Sequence, residues 1–385
     1  KKKNLPQEIQ GLLKERNTVI EKLGEVSSFL KDRSSKKYLL IKITGIIKKM
    51  KDSLNIAIAG ATGYVGLELI KILSKHPKAK LLYLCATKSI GKPINKFYKG
   101  LKKYNLPKIS KIDKIDWSKI DILFTALPNG EAQKIAKRIP KNIKIIDLSA
   151  DFRLSNFKEY EKWYGINHNC KKLIKDSIYA ITEFSKKKLK DYKIIACPGC
   201  YPTSVQIPLI PLLEKKMISV KNIIIDSKSG YSGAGKNIKK KFKFKNLFTS
   251  VSAYSVGSHR HMAEIDQELS KASNKKVNVS FTPHLIPMFR GILSTIYLKT
   301  LGNKNDAKKI YNFLKKYHKN NHFIKIAKFN MSIGTGDVMN TNYCKISICE
   351  NRKKNNIIII SVIDNLVKGA AGQAVQNMNA SFNLK

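Results

Sequence analysis

The sequence predicts an α/β protein that combines a doubly wound parallel sheet with a second, α+β domain built on a mixed sheet. From Leu54 onward, short apolar runs alternate with amphipathic helical stretches, a pattern typical of parallel strands covered by helices on both faces. After about Pro202 the strands become longer and this alternation is lost. A chain of 385 residues, 43% of them hydrophobic, is long enough for two cores.

The first domain is predicted over residues 54–201. Its strands are LNIAIAG, LLYLCAT, IDILFTAL and IKIIDLSA, and its helices are VGLELIKIL and EAQKIAKRI. The second domain is predicted over 202–363, with the strands NIIIDSKSG, VNVSFTPHL and GILSTIYLKT. The last segment, about 364–385, has small residues at helical spacing, so we expect a helix that returns to the first domain.

Residues 1–49 share no motif with the rest of the chain. Their apolar residues recur at roughly helical spacing among charges of both signs, and the acidic residues argue against a transit peptide. Met50 stands just before the first predicted strand. We therefore expect a helical extension that is dispensable for the function of the chain.

The net charge of +47, from 74 basic and 27 acidic residues, first suggests nucleic-acid binding. Nearly all the basic residues are lysines, spread along the chain beside many Ile and Asn, and they do not interleave with aromatic residues as in a nucleic-acid groove. A solvated lysine coat is the favoured interpretation, and a basic nucleic-acid-binding protein is kept as a remote alternative.

No apolar run approaches the roughly 18 residues that a membrane span needs, and the N-terminus has no signal-peptide core. The six cysteines are too few and too scattered to form a disulfide framework in a chain of this size. We therefore expect a soluble, cytoplasmic protein with reduced thiols, and neither a nucleic acid nor a membrane as its partner.

A candidate cofactor loop, GATGYVG, lies between the first strand and the first helix. Glycine permits a tight turn and close approach to a pyrophosphate, while the helix N-terminus offers N–H groups and a positive dipole end. The spacing is G-x-x-G-x-x-G rather than the usual fingerprint, so the position of the loop is the stronger indication. The predicted cofactor-binding residues of the loop are Gly60, Thr62, Gly63, Tyr64, Val65 and Gly66.

The second strand ends at Thr87, which is followed by Lys88 and Ser89. An NAD enzyme is expected to carry an acidic residue near this point to bind the ribose 2′-hydroxyl, and none is present. A lysine and two hydroxyl groups suit a 2′-phosphate instead. The sequence therefore favours NADP(H) over NAD.

The segment ACPGCYPTS contains Cys197 and Cys200. Half of a zinc knuckle and a redox disulfide are the alternative interpretations, but Cys344 and Cys349 are too widely spaced for the usual second zinc pair, so no metal is predicted. We favour Cys200 as a nucleophile, because a helix is expected to start at Pro202 and a thiol at a helix N-terminus ionises more easily. Beside a nicotinamide cofactor, such a thiolate would form a thioester that hydride reduces to an aldehyde.

The segment SVGSHRHMAEIDQEL supplies candidates for proton transfer. His259 and His261 flank Arg260, and Glu264 is close enough along the chain to orient an imidazole. If the stretch is extended before the following helix, the two histidines point to opposite sides and only one of them faces the thiol.

The loop SKSGYSGAGKN offers Ser229, Ser232 and backbone N–H groups to a leaving phosphate or an oxyanion. It nearly matches a nucleotide P-loop, but Asn237 stands where that motif requires a metal-binding hydroxyl.

In chain order, these segments resemble the N-acetyl-gamma-glutamyl-phosphate reductase family of arginine biosynthesis, from about Leu54 to the C-terminus. The segments that carry the resemblance are GATGYVGLELIKIL, DLSADFRL, PGCYPTS, SGYSGAGK, HRHMAEI, FTPHLIPMFRGILSTIY and DNLVKGAAGQAVQNMN. The residues GCYPTS, HRH and KGAAGQAVQN are specific to this family rather than to dinucleotide enzymes in general. One departure is Ala263, where the family usually has proline.

The resemblance implies that Cys200 is the nucleophile, His259 the acid/base and Glu264 its orienting partner, with Asn365 added to the cofactor site. Candidate substrate ligands are Arg153, Ser232, Gly233, Arg260, His261 and Arg290. The arginines among them lie inside motifs of a chain that otherwise uses lysine, which independently suggests bidentate recognition of an anion; structural pairing with a carboxylate is the alternative.

The family further implies NADPH-dependent reduction of N-acetyl-γ-glutamyl phosphate to the semialdehyde with release of phosphate, in a homodimer or homotetramer. The fold implied is a dinucleotide-binding domain with a catalytic α+β domain. An aspartyl or aminoadipyl phosphate is the alternative substrate, since the same chemistry then differs only in the side-chain pocket.

Overall fold

The computed structural model describes residues 53–236, 249–302 and 306–384, together with residues 238 and 246. The extension predicted at 1–49 lies outside the described residues, so its helical structure and its dispensability stay predictions. In the described part of the chain, no helix combines the length and the apolar character that crossing a membrane requires.

The first sheet contains seven strands in the described chain, all paired in parallel in the order β3-β2-β1-β4-β5-β7-β6. They are β1 (Leu54–Ala59), β2 (Ala79–Cys85), β3 (Ile109–Ser110), β4 (Ile122–Thr125), β5 (Lys144–Asp147), β6 (Ser177–Tyr179) and β7 (Ile194–Ala196). The helices of this part are α1 (Tyr64–Leu73), α2 (Glu131–Ala136), α3 (Phe157–Tyr164) and α4 (Thr182–Ser185). The strand order reverses between β1 and β4, which is where doubly wound sheets open a ligand crevice.

The second sheet also contains seven described strands, in the order β12-β13-β14-β11-β8-β10-β9, with parallel and antiparallel pairs. Its strands are β8 (Ile224–Gly230), β9 (Ser252–Ala253), β10 (Ser280–Ile286), β11 (Ile292–Lys299), β12 (Ile324–Ile326), β13 (Cys344–Glu350) and β14 (Asn356–Ile363). The helices α5 (Cys200–Glu214), α6 (His261–Ser273) and α7 (Ala307–Tyr317) accompany it. The predicted fold class, a doubly wound parallel sheet plus a mixed sheet, is confirmed.

The last segment of the chain completes the core of the first sheet. A π-helical turn (Val367–Ala371) leads directly into α8 (Gly372–Ser381). Ala374 and Met378 of α8 belong to the same buried cluster as Leu69 and Ile70 of α1. Because these side chains are fully buried, the first sheet has a closed hydrophobic face only with this segment in place.

Helix α5 begins at Cys200, two residues before the predicted start, so that prediction of the boundary is wrong. Pro202 is tolerated as the third residue of the helix, since the first N–H groups of a helix have no intrahelical partner. Pro208 and Pro211 lie inside the helix, which nevertheless continues. Its residues 201–213 are buried on every side, and packing of this kind overrides local propensity.

Candidate active site

A cavity of about 200 Å³ lies beside Cys200 and is lined by residues of both predicted domains. Leu148, Ser149 and Arg153 follow β5 of the first sheet, whereas Ser229, Gly233 and Tyr254 come from β8 and the loops of the second. The cavity therefore brings together candidates that are far apart in the sequence; those are Arg153, Cys200, Gly233, His259, Arg260 and His261.

Cys200 is the first residue of α5, and no side chain caps the N-terminus of this helix. Burial raises the pKa of the Cys200 thiol to about 11, against the opposing effects of the Tyr201 backbone N–H and of Arg153. In the free protein, burial thus opposes the easier ionisation that is expected of a thiol at a helix N-terminus. A neighbouring base is needed to remove the proton at neutral pH.

Cys197 lies three residues earlier and is fully buried in the core of the first sheet. Its thiol accepts a 3.5 Å contact from the Nδ2 group of Asn377, and burial raises its pKa to about 12. All six cysteines, each of them in the described chain, are free thiols. Cys197 is therefore a packed core residue, whereas Cys200 faces the cavity.

His259 and His261 both line this cavity, and their ring centroids are 4.7 Å apart. The prediction that they point to opposite sides is wrong, because the backbone between them is not extended. Arg260 has helical angles (φ −55°, ψ −29°), and the N–H of His261 donates to Nδ1 of His259 at 3.1 Å. The turn at Arg260, closed by this hydrogen bond, brings both rings to the cavity.

Glu264 is fully buried in the first turns of α6. Its carboxylate pairs with Nη1 of Arg153 at 2.9 Å, and accepts hydrogen bonds from the Tyr179 hydroxyl at 3.1 Å and the Gly199 N–H at 2.9 Å. Its Oε1 atom lies 3.9 Å from Nε2 of His261. The sequence paired Glu264 with His259; the structure brings this carboxylate to His261, since one helical turn separates residues 261 and 264.

The imidazole of His261 packs directly over Gly199, the residue that precedes Cys200. A Cβ atom placed on Gly199 would lie 2.5 Å from Nε2 of His261 and 2.6 Å from its Cε1. Only a glycine permits this approach, so the ring and the start of α5 are in contact.

The three candidate arginines have different environments. Arg153 is buried, pairs with Glu264, and donates to the Leu148 carbonyl at 3.0 Å. Its buried Nε atom has no hydrogen-bond partner in the described chain, and the residue lines the cavity. Arg260 is exposed at the cavity, with its guanidinium 5.2 Å from the ring centroid of Tyr164.

Arg290 is held by two carboxylates, which contradicts its expected role as a substrate ligand. Its Nε atom lies 2.8 Å from Asp364 Oδ2, Nη2 donates to Asp364 at 2.9 Å, and Nη1 lies 3.1 Å from Glu68. Nη1 also donates to Asn340 at 2.9 Å. The guanidinium therefore joins α1 to the end of β14, the structural pairing that was the alternative interpretation.

Ser232 and Asn365 are hydrogen-bonded to each other beside Gly233. Asn365 donates from Nδ2 to the Ser232 hydroxyl at 2.9 Å and accepts from the Gly291 N–H at 2.7 Å. Gly233 lines the cavity, and Ser232 is buried behind it. Both hydrogen bonds of the Asn365 side-chain amide are thus made to protein groups, and they hold the loop after β8 in place.

The glycines of the turn after β1 are required by close packing of the protein's own backbone. Gly60 has a positive φ of +88°, and a Cβ atom there would collide with the Ala126 carbonyl, while one on Gly66 would collide with the Gly60 carbonyl. Tyr64 and Val65 open α1, whose N-terminus has no side-chain cap and no acidic residue in its first turn. These residues fit a dinucleotide pyrophosphate.

Thr87, Lys88 and Ser89 follow β2 at the carboxyl end of the sheet, next to the turn after β1. Thr87 and Lys88 are exposed, and Ser89 has a positive φ of 66°. Their position at this edge fits a ribose 2′-phosphate.

Sequence reasoning missed Tyr179 and Tyr254. The Tyr179 hydroxyl lies 2.9 Å from Gln206 Oε1 and 3.1 Å from Glu264 Oε2, and its single proton is shared between these two acceptors. The hydroxyl of Tyr254 lies 3.1 Å from that of Tyr201 at the cavity. Neither tyrosine stands in a motif with its partner, so no local signal could have found them. Within the part of the chain that is described, no cluster of His, Cys, Asp and Glu has the arrangement of a metal site.

The two-sheet fold that holds this cavity is that of the semialdehyde dehydrogenase class. The sequence model of the semialdehyde dehydrogenase NAD binding domain matches residues 55–192, and that of the semialdehyde dehydrogenase dimerisation domain matches residues 200–365. An N-acetyl-gamma-glutamyl-phosphate reductase of Ehrlichia canis (strain Jake) is 44% identical over 337 residues, covering 86% of this chain and 95% of that protein. The chain belongs to the N-acetyl-gamma-glutamyl-phosphate reductase family.

A plant relative, named a probable chloroplastic N-acetyl-gamma-glutamyl-phosphate reductase of Arabidopsis thaliana, is 41% identical over 333 residues, 86% of this chain and 82% of that protein. Among solved structures, aspartate semialdehyde dehydrogenase II of Vibrio cholerae shares the fold, with a TM-score of 0.66, 19% identity and coverage of 86% of this chain and 98% of that one. The Candida albicans aspartate semialdehyde dehydrogenase solved with NADP has a TM-score of 0.63, 16% identity and coverage of 86% and 100%. The predicted family, enzyme class and NAD(P)-binding fold are confirmed.

Proposed function

We propose that this protein reduces N-acetyl-γ-glutamyl phosphate with NADPH, releasing phosphate and N-acetylglutamate 5-semialdehyde. The observation that carries the proposal is the cavity in which the Cys200 thiol, at the start of α5, faces two imidazoles in a chain of this family. A thiol, a base and an exposed arginine are the groups that acyl transfer from a phosphate needs.

The first step is removal of the thiol proton. Because burial holds the pKa of Cys200 near 11, an imidazole must accept this proton as the sulfur attacks. The sequence favoured His259 for this role. We propose His261 instead, because its ring contacts Gly199 and lies 3.9 Å from the Glu264 carboxylate, which stabilises an imidazolium. Glu264 is then a positioning residue rather than a catalytic one.

The sulfur then forms a bond to the acyl carbon and the acyl–phosphate bond breaks, leaving a thioester on Cys200. N–H groups at the uncapped start of α5 stabilise the oxyanion. NADPH, when bound at the glycine turn, supplies the hydride that reduces the thioester carbonyl. The protonated imidazole returns its proton as the C–S bond breaks, so that the aldehyde leaves and the thiol is restored.

We propose that two of the predicted arginines, Arg260 and Arg153, bind the anionic groups of the substrate. Arg260 presents an exposed guanidinium at the cavity, and we assign it to the substrate phosphate or carboxylate. The Nε donor of Arg153 is unused, although its pairing with Glu264 makes Arg153 chiefly a support for that carboxylate. We assign Gly233 to the cavity wall, with Ser232 and Asn365 supporting its loop through their hydrogen bond.

The preference for NADPH over NADH rests on Thr87, Lys88 and Ser89 at the end of β2. The division into a dinucleotide-binding domain (54–201 with 364–385) and a catalytic domain (202–363), the dimeric or tetrameric state and the cytoplasmic location stay predictions of the same proposal.

The test is the reverse reaction: phosphate-dependent reduction of NADP⁺ by the purified protein, with N-acetylglutamate semialdehyde compared with aspartate semialdehyde and N-acetylaminoadipate semialdehyde. The proposal requires that the first aldehyde has the highest kcat/KM and that omission of phosphate abolishes NADPH formation. A higher kcat/KM for either of the other aldehydes would mean that the natural substrate is the corresponding acyl phosphate. Turnover without phosphate would exclude an acyl phosphate as the product of the reverse reaction.

A further inference from the structure

Lys236 lies in the loop that follows β8, and its side chain reaches across to the glycine turn. Its Nζ atom donates a hydrogen bond of 2.6 Å to the backbone carbonyl of Thr62. These residues are 174 positions apart in the sequence. A side chain of the second predicted domain therefore touches the loop that the first domain offers to the cofactor.

Aromatic rings hold the ammonium at this place. Nζ lies 5.5 Å from the ring centroid of Tyr64 and 5.6 Å from that of Phe97. Tyr64 in turn packs edge-to-face on Phe289 at 5.3 Å. No carboxylate of the described ranges lies within ion-pair distance of Lys236, so its charge is not neutralised by an acid there.

The position of the ammonium matches that of a phosphate-binding cation. Thr62 precedes Gly63, which is the N-cap of α1, and the first N–H groups of that helix have no side-chain cap. An ammonium has three donors, and the bond to Thr62 uses one of them. Two donors therefore remain beside the uncapped helix end, and lysine is a common point charge for phosphate groups.

We propose that Lys236 is a cofactor-binding residue, contributed by the second domain, whose ammonium binds the pyrophosphate of the dinucleotide at the glycine turn. The inference rests on the proposed placement of the cofactor at residues 60–66. Because Gly233 and Ala234 of the same loop line the cavity, a dinucleotide held by Lys236 also orders one side of the substrate site.

The pyrophosphate is common to NADPH and NADH, whereas the 2′-phosphate is not, and this difference defines the experiment. Dissociation constants for both cofactors are measured by fluorescence titration of the full chain, without substrate. Lys236→Met should raise the Kd of NADPH and of NADH by similar factors, about ten- to a hundredfold, the usual effect of losing a charged hydrogen bond. Lys236→Arg keeps the charge and should keep most of the affinity.

The control is Lys75→Met, since Lys75 is an exposed lysine just beyond the other end of α1; both Kd values should stay at the wild-type level. Unchanged Kd values in Lys236→Met and in Lys236→Gln, even with a lower melting temperature, would overturn the proposal and leave Lys236 a structural link. A loss confined to NADPH would overturn it too, because the ammonium would then bind the 2′-phosphate.

Gly63→Asp separates this inference from the proposed function. Aspartate is a favoured N-cap residue, so α1 should persist, but its charge opposes a pyrophosphate. Normal NADPH binding by Gly63→Asp would refute the placement of the cofactor itself. Loss of binding by Gly63→Asp, with full binding by Lys236→Met, would refute the role of Lys236 alone.

Discussion

The carboxylate of Glu264 accepts a 2.9 Å hydrogen bond from the backbone N–H of Gly199, the residue immediately before Cys200. The same carboxylate lies 3.9 Å from Nε2 of His261. One buried acid on α6 thus fixes both the start of the helix that carries the thiol and the imidazole beside it. Displacing any of the three groups should disturb the other two.

Gly199→Ala tests this arrangement. The new methyl group would meet the His261 ring at 2.5 Å, and the ring must move away from the thiol. Misplacement of a catalytic group by about 1 Å can cost on the order of a hundredfold in rate, so kcat should fall by about that factor while the Kd of NADPH is unchanged. Gly334→Ala is the control, because a Cβ atom at Gly334 meets no atom within 4 Å. Equal activity of the two variants would show that the contact between Gly199 and His261 has no catalytic importance.

Cys200→Ser should lose activity on the order of a thousandfold or more, because an unactivated hydroxyl is a poor nucleophile. Cys197→Ser should keep most of it, since Cys197 is buried in the first core and does not line the cavity. Steady-state rates with the aldehyde, phosphate and NADP⁺ give the comparison. An active Cys200→Ser beside an inactive Cys197→Ser would reverse the assignment.

Exchange of each histidine for asparagine decides which imidazole transfers the proton. His261→Asn should lower kcat by about a hundred- to ten-thousandfold and change the pH–rate profile, because general acid–base catalysis is lost. His259→Asn should act mainly on substrate KM, since its ring packs among Tyr201, Tyr254 and Phe281 at 5.5 Å. An altered pH profile in the His259 variant alone would restore the choice made from sequence.

The raised pKa of Cys200 predicts how its alkylation depends on pH. Burial moves the pKa up to about 11, so at neutral pH the thiol is protonated and the reactive thiolate is scarce. In the free protein, iodoacetamide labelling of Cys200 should accelerate about tenfold for each pH unit between 7 and 9, as the thiolate fraction does. Peptide mass spectrometry at several pH values measures this rate. A plateau below pH 8 would mean that the free protein already holds a thiolate.

Lys88→Glu should weaken NADPH binding strongly and NADH binding little, because the new carboxylate repels a 2′-phosphate and can accept from a ribose hydroxyl. Kd values for both cofactors measure the change in preference. Lys92→Glu, in the same exposed loop, controls for the general effect of added negative charge. Equal losses for NADPH and NADH would place the 2′-phosphate elsewhere.

The sheets were predictable from sequence because their apolar runs are local and periodic; β1, α1 and β8 lie close to their predicted positions. The partners of Arg290 could not be predicted from sequence, since Glu68 and Asp364 are 222 and 74 residues away from it. The direction of the two histidine rings depends on the helical backbone of Arg260, and the pKa of Cys200 depends on burial by distant segments. Residue types thus indicated the chemistry, whereas long-range packing decides which groups meet.

The closure of the first core by α8 sets an order of events during synthesis on the ribosome. Leu69 and Ile70 are translated some three hundred positions before Ala374 and Met378, with which they share one buried cluster. Contacts this distant along a chain form late and slowly. Part of the apolar face of the nascent dinucleotide-binding sheet therefore stays uncovered until α8 has been synthesised. Chaperones should bind mainly to this face during that interval.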